Sequence, residues 1–318
     1  MFMKRPIFFK PVLQERIWGG QKLAQFGYEL PSKQTGECWG ISAHQNGLSI
    51  VREGEFEGKS LRELWDSRPE LFGGETSGEF PLLVKILDAA ADLSVQVHPN
   101  DEQAAALEKN EAYGKTECWY VIDAEEGAEL ILGHTAQTVE AFTQKVERNE
   151  WETLLNRVPI KAGDFFHVPS GTIHAIGAGT IILETQQSSD TTYRVYDFDR
   201  TDDSGQKREL HLEKAMEVTQ IPDIRYKTKT KTIIENDGCK VTELVTTNEF
   251  TVYHGQVRSY WNAAFDANYL LVSIVKGMVE LTIANASYRV VKGDHLLLPV
   301  EATTFEVKGE LELIVSHT

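Results

Sequence analysis

Two segments far apart in the chain carry the same punctuation. Gly163-Asp164-Phe165-Phe166-His167-Val168-Pro169-Ser170-Gly171-Thr172-Ile173-His174 and Gly293-Asp294-His295-Leu296-Leu297-Leu298-Pro299-Val300-Glu301-Ala302-Thr303-Thr304 align in register at glycine, aspartate and proline. In each, a short run with apolar character lies between the Gly-Asp pair and the proline, the pattern of a strand bounded by turns. Proline cannot donate to a ladder, so each strand should stop there. In the first copy Pro169-Ser170-Gly171 supplies a tight turn with a residue able to take positive φ, and the chain beyond it carries His174. In the second copy the turn glycine is Glu301 and the histidine is Thr304. A corner used twice constrains the chain to a mainly β architecture with two units built alike.

A second stretch gives the first unit chemistry. In Leu93-Ser94-Val95-Gln96-Val97-His98-Pro99-Asn100-Asp101, apolar Leu93, Val95 and Val97 alternate with polar Ser94, Gln96 and His98. Alternation of period two sends one set to each face of a strand, so Ser94, Gln96 and His98 share a face. On its own the stretch also reads as a sheet face that is merely polar. Asn100 followed by Gln103 reads as a capping box opening a helix over Asp101–Lys109. Further on, Tyr113-Gly114-Lys115-Thr116-Glu117-Cys118-Trp119-Tyr120-Val121-Ile122-Asp123 reads as another strand, with Lys115, Glu117 and Trp119 on one face. Lys115 beside Glu117 is by itself an ordinary ion pair. Set beside Gln96, His98 and His174, Glu117 completes a group of two imidazoles, a carboxylate and an amide. Such nitrogen and oxygen donors without a thiolate suit zinc or another first-row divalent ion. His167 reads as a packed or hydrogen-bonded neighbour rather than a ligand.

These motifs carry a resemblance. Glycine, five residues, proline, one residue, glycine, two residues and histidine, from Gly163 to His174, resembles the second motif of the cupin superfamily, whose fold is a small antiparallel jelly roll. That pattern continues with an asparagine four residues after the histidine, where this chain has Ala178, a departure that leaves the ligand intact. More specifically, the chain resembles the type I mannose-6-phosphate isomerases (phosphomannose isomerases) in their short bacterial form. The residues that carry this are Glu15-Arg16-Ile17-Trp18-Gly19-Gly20, Gly36-Glu37-Cys38-Trp39-Gly40-Ile41-Ser42, the Ser94–Asp101 stretch, Lys115-Thr116-Glu117, and Glu184 through Phe198.

The resemblance implies two cupin-type jelly-roll barrels with a few short helices. A catalytic zinc-binding cupin domain would span residues 1–230. Its helical segment near 138–156 would be all that remains of the helical domain of longer members. A C-terminal cupin-like domain without metal would span residues 231–318, since Thr304 stands where His174 stands in the first. It also implies one zinc ion per chain, held by Gln96, His98, Glu117 and His174. Arg194 would be the catalytic arginine, with Glu184 and Asp190 in the same pocket, Ser94 on the strand face beside the ligands, and Trp18 as a wall for the sugar face. Against these stand simpler readings: Trp18 as a core tryptophan, and Arg194 as a strand-edge arginine paired with Asp190 or Asp197.

Composition sets outer limits. The chain has 318 residues, 41% of them hydrophobic, room for one large or two ordinary cores. A net charge of −16 argues against nucleic acid or an anionic membrane as partner. The start, Met1 through Phe9, has too short an apolar run for a signal peptide, and no stretch approaches membrane-spanning length. Three scattered cysteines, Cys38, Cys118 and Cys239, form no disulfide framework and suit a reducing, cytoplasmic setting. The polar run Thr201–Lys207 reads as a loop before a short helix near Leu212–Val218, and Lys227–Lys231 as a solvated linker. The oligomeric state is not legible.

What the resemblance implies chemically is aldose–ketose isomerisation of a small sugar phosphate, mannose 6-phosphate to fructose 6-phosphate, in carbohydrate (mannose) metabolism. A proton would leave C2, an enediolate form, and the proton return to C1, with zinc and Arg194 stabilising the oxyanion. The general base stays open among Glu184, Lys115 and a zinc-bound water, and Lys115 would need a lowered pKa to serve. The alternative is a metal-holding cupin that binds a sugar phosphate without turnover. A metal-dependent cupin dioxygenase is a further rival that the amide ligand Gln96 and the early Trp18 segment disfavour. A negatively charged substrate in so acidic a chain requires a locally positive pocket, for which the dication, Lys115 and Arg194 are the candidates.

Overall fold

The computed structural model of the chain describes residues 4–74, 76–109, 111–201, 205–224 and 228–318. Asp202, Asp203 and Ser204 of the expected polar loop and Lys227 of the expected linker lie outside the described residues, as do Met1–Met3. The architecture is mainly β, arranged as jelly-roll units with a few short helices. The first unit is a sandwich of two antiparallel sheets. One runs Phe165–Val168, Glu117–Ala124, Thr180–Gln187, Leu82–Ala89, Val12–Gly20 and Thr35–Ile41 in spatial order. The other runs Tyr193–Tyr196, Val95–Val97, His174–Ile176, Glu129–His134 and Leu155–Pro159.

The larger of these sheets is covered on both faces, and period two sorts its residues between them. Cys118, Tyr120, Ile181, Leu183, Val84 and Ile86 pack into an apolar cluster shared with Leu244, Val252, Leu271, Leu297 and Ile314 of the C-terminal unit. Their alternates Trp119, Val121, Ile182 and Leu87 face the opposite way, into the sandwich, against Leu93, Leu130 and Ile176. On that same inner face, further along the strands, lie the side chains that chemistry would need.

The short helices cap the outer face of the smaller sheet. Val139–Glu147, Trp151–Leu154 and Leu212–Val218 contribute Phe142, Leu154, Ala215 and Val218 to a cluster with Val95, Val97, Ile173 and Val195. The capping box expected at Asn100 is present, with Asn100 and Gln103 exchanging hydrogen bonds. The helix it opens ends at Leu107, because Glu108 is already extended.

The repeated corner is also present. Gly163 and Gly293 both take left-handed φ, +89° and +92°. Asp164 accepts from the amide of Lys161, and Asp294 from the amide of Val291, each closing the same four-residue turn.

The two units are joined by more than apolar contact. Ile7–Lys10, at the start of the chain, is hydrogen-bonded on one side to His295–Pro299 of the C-terminal sheet and on the other to Ile50–Val51. Beside it, His295 is fully enclosed. Its Nδ1 lies 2.8 Å from Ser273 Oγ and its Nε2 3.0 Å from the Tyr28 hydroxyl. The Tyr28 hydroxyl donates to the Gly293 carbonyl, so Nε2–H must be the donor to Tyr28. Gly40 allows this approach, since a Cβ there would collide with the imidazole.

Burial pushes the His295 pKa down from 6.5 to about 4, so the fold holds it neutral. Unfolding therefore takes up a proton between these two values. The stability this contributes is complete above about pH 6.5 and is lost as the pH falls toward 4, up to about 3 kcal/mol. Denaturant midpoints at pH 7 and pH 4.5 should accordingly differ less in His295→Leu than in the parent protein. An identical pH dependence in the two would show that His295 does not couple the units to pH.

Candidate active site

Period two and strand register bring four side chains of the sandwich to one point. Val95–Val97 pairs with His174–Ile176 so that Gln96 faces His174, and Glu117 opens the facing strand. Ligand atoms of His98, Glu117 and His174 all lie within 4.8 Å of one another. His174 Nε2 is 3.3 Å from Glu117 Oε1, and His98 Nε2 is 3.6 Å from Glu117 Oε2. The Gln96 amide lies 3.3 Å and 3.5 Å from the two Nε2 atoms.

The imidazoles are held for ligation. His98 Nδ1 is 2.8 Å from the Thr191 carbonyl, and His174 Nδ1 is 2.8 Å from the Thr172 carbonyl. A carbonyl only accepts, so each Nδ1 carries the hydrogen and each Nε2 turns a lone pair inward, that of His98 accepting from Lys115 Nζ at 3.1 Å. Burial, reinforced by the Lys115 ammonium, lowers both pKa values, that of His174 to about 4, so both rings are neutral near pH 7.

Glu117 is fully buried. One of its oxygens accepts from Lys115 Nζ at 2.5 Å, and the other, Oε1, has no hydrogen-bond partner. An unsatisfied buried polar atom costs about 1–3 kcal/mol, more when charged. Two neutral Nε2 acceptors, an amide and a bare carboxylate oxygen at one point fit a divalent cation and fit little else.

Gln96 and His174 of this cluster, with Lys115, line a cavity of about 330 Å³, at the small end of the range for small-molecule sites. Glu184, from Thr180–Gln187, accepts from Trp119 Nε1 at 3.0 Å and lies 3.8 Å from Lys85 Nζ and 3.9 Å from Lys115 Nζ. Burial, then the neighbouring Glu117 charge, raises its pKa against the pull of Lys115 and Lys85. Lys115 behaves oppositely to what a basic amine would require. Burial disfavours its charge, but the Glu117 and Glu184 carboxylates outweigh that and hold its pKa above the ordinary value.

Ser94 Oγ accepts from Arg194 Nε at 3.2 Å. Arg194 also donates to the Glu209 carbonyl at 2.8 Å, and among the described residues no carboxylate pairs with it. Asp197 is instead taken by Arg200 and Arg208. Asp190 accepts from Asn46 Nδ2 at 3.0 Å. Trp18 lines the cavity and also belongs to the apolar cluster behind it, so its wall and core readings coincide. His167 lies outside the metal-ligand group.

Several lining residues carry no sequence-based assignment: Arg16, Glu37, Lys85, Thr192 and Arg208. For Lys85 a signal exists, since it interrupts the otherwise apolar run Leu82–Leu87, and a buried lysine needs a partner and a reason. It lies 4.7 Å over the Trp39 ring as well as near Glu184. Glu37, which accepts from Arg16 and from Trp39 Nε1, sits in a quoted motif with no role attached. Arg208 follows a polar loop and has no local signature.

Comparison with known proteins agrees with this geometry. Residues 7–141 match the family described as phosphomannose isomerase type I, catalytic domain. Residues 240–318 match the cupin domain of mannose-6-phosphate isomerase. The mannose-6-phosphate isomerase ManA of Bacillus subtilis is 49% identical over 318 residues, covering 98% of each chain. A mannose-6-phosphate isomerase of Streptococcus mutans is 49% identical over 317 residues, covering 99% of each. A crystal structure of the mannose 6-phosphate isomerase from Bacillus subtilis superposes with a TM-score of 0.95 at 44% identity, covering 98% of this chain and 99% of that one.

Glu117→Gln preserves shape and removes the charge. It should weaken divalent-metal binding, measured by competition with a chelating dye, by more than the about 10–100-fold typical of losing an outer-shell partner. Undiminished affinity would remove Glu117 from the ligand set.

Proposed function

We infer the function of this chain from its family: it belongs to the type I phosphomannose isomerases, and its reaction is the interconversion of mannose 6-phosphate and fructose 6-phosphate. The observation that carries this reading at the site is the buried Glu117 carboxylate, whose Oε1 has no hydrogen-bond partner and lies 3.3 Å from His174 Nε2, with His98 Nε2 3.6 Å from its other oxygen. Gln96, His98, Glu117 and His174 would hold one divalent ion. Zinc is the assignment, because the donors are nitrogen and oxygen without thiolate and their number is four. Bound there, zinc would supply Lewis-acid stabilisation of charge on a substrate oxygen.

The chain's own residues supply the rest. C2 of the sugar is a weak carbon acid, so removal of its proton needs a base within reach and a fixed positive charge near the enediolate oxygens. Glu184 is assigned as the base. It lines the cavity, and its raised pKa makes it a better proton acceptor than an ordinary carboxylate. Lys115, held protonated by two carboxylates, is assigned to keep Glu117 in place and to stabilise negative charge on the substrate. Arg194, registered opposite Gln96, is assigned to the developing oxyanion. Ser94 orients it.

The phosphate is assigned to the rim, at Arg208 beside Arg194. The other cavity arginine, Arg16, is paired with Glu37, which lines the cavity with Asp190 and would with it repel an anion there, whereas Asp197, the partner of Arg208, does not line the cavity. Trp18 offers an apolar edge for the sugar. Lys85 and Lys115 join the arginines to make the locally positive pocket that so acidic a chain needs.

Fructose 6-phosphate formation from mannose 6-phosphate should be measurable, should vanish on chelation and should return with added zinc. Binding of the sugar phosphate without turnover would refute the assignment. Arg194→Ala should lower kcat by about 10²–10³-fold while leaving metal content and thermal stability nearly unchanged. Near-normal turnover would make the arginine structural. In deuterated water, deuterium should appear at C1 of fructose 6-phosphate, since a carboxylate base exchanges its proton with solvent. Its absence over many turnovers would count against Glu184 as a solvent-exchanging base.

A further inference from the structure

The strand that presents Arg194 continues into a turn whose backbone is strained. Phe198 and Asp199 both have φ of +55°, a region that costs residues with a Cβ about 1 kcal/mol or more each. The turn is closed by the Arg200 amide donating to the Asp197 carbonyl at 3.1 Å. Around it two guanidiniums, Arg200 and Arg208, gather on one buried carboxylate, with that of Arg194 close by. Asp197 accepts from both Nε (2.7 Å) and Nη2 of Arg208, a two-point contact that fixes the plane of that guanidinium. Arg200 donates to the same carboxylate and to the Asp92 carbonyl, two residues before Ser94. Arg194 completes the set through the carbonyl of Glu209, next to Arg208.

Two features say that this is more than a structural ion pair. Arg208 and Arg194 line the same cavity, and their like charges lie close enough that Arg208, after burial, depresses the Arg194 pKa. The Asp197 charge offsets part of that repulsion, and an anion in the cavity before the two guanidiniums would offset more. Asp197 itself is buried and does not line the cavity. It occupies the Nε–Nη2 edge of Arg208, so contact of that guanidinium with a ligand in the cavity falls to its other N–H groups.

We propose that Asp197 is a positioning residue that fixes Arg208 at the rim of the cavity and so sets the enzyme's affinity for the phosphate group of its substrate rather than the rate of proton transfer. This rests on the assignment of the rim to phosphate. The strained turn is what places the carboxylate behind Arg208, and Arg200 holds that turn to the loop that leads into Ser94 and Gln96.

The test uses the zinc-loaded enzyme and two readouts, the kinetics of mannose 6-phosphate and inhibition by inorganic phosphate. Asp197→Asn should raise KM and the phosphate inhibition constant together, by about 10-fold, with kcat within about 3-fold of the parent. Asp197→Glu, which keeps the charge and displaces the guanidinium by one methylene, should shift both in the same direction by less, and serves if the asparagine variant does not fold. Arg208→Gln should raise both constants at least as far, and adding Asp197→Asn to it should change little more, since the two act as a unit. If Arg208→Gln raises both constants while the Asp197 variants leave phosphate inhibition unchanged, Asp197 does not position Arg208. If Arg208→Gln itself leaves phosphate inhibition unchanged, the assignment of the rim fails, and this proposal with it.

Discussion

A carboxylate at the bottom of a β-sandwich, enclosed by protein and bonded at only one of its oxygens, sets the terms for everything around it. Burying a charge is costly unless it is paired and hydrogen-bonded. Glu117 has Lys115 at one oxygen, which leaves the other to be satisfied by something the described side chains do not provide. Both neighbouring histidines turn their protonated nitrogens outward to backbone carbonyls, so neither can supply a proton to it without losing that contact. The proposed cation resolves all three demands at once, and the four donors converge because two sheets, each ordered by period two, face each other across this point.

The same large sheet explains why the chain needs its second unit. Its outer face is apolar, and Tyr120, Ile181 and Leu183 would meet water without the C-terminal barrel. The Tyr120 hydroxyl sits 2.5 Å from Glu312 and 3.2 Å from His254, both of that barrel. Tyr120 follows Trp119, the residue that hydrogen-bonds Glu184. Docking of the C-terminal unit thus bears directly on the strand that supplies Glu117, Trp119 and one wall of the cavity.

Much of the site could be read from the chain because its residues sit where local rules are strong. Alternation put Ser94, Gln96 and His98 on one face, the Pro169–Gly171 corner carried His174, and the match of Gly163 with Gly293 announced a second unit. The rest depends on contacts between residues distant in sequence. Nothing in Ile7–Lys10 says that it will pair with His295–Pro299. Lys85 looks like an interruption until Trp39 and Glu184 are brought beside it. Arg208 acquires a purpose only through Asp197, across a turn whose positive φ values Asp199 tolerates but Phe198 does not favour. The raised pKa of Lys115 comes first from Glu117, its neighbour in sequence, and then from Glu184 on another strand, a contribution that sequence proximity does not reveal.

The most direct test of the metal centre is anomalous diffraction from crystals of the purified protein, recorded on either side of the zinc absorption edge. One peak per chain is expected, about 2.0–2.2 Å from Nε2 of His98, Nε2 of His174 and a Glu117 oxygen, with the Gln96 side chain completing the shell. A zinc ion bound elsewhere, or no peak between these residues in protein that is active, would contradict the assignment of these four ligands.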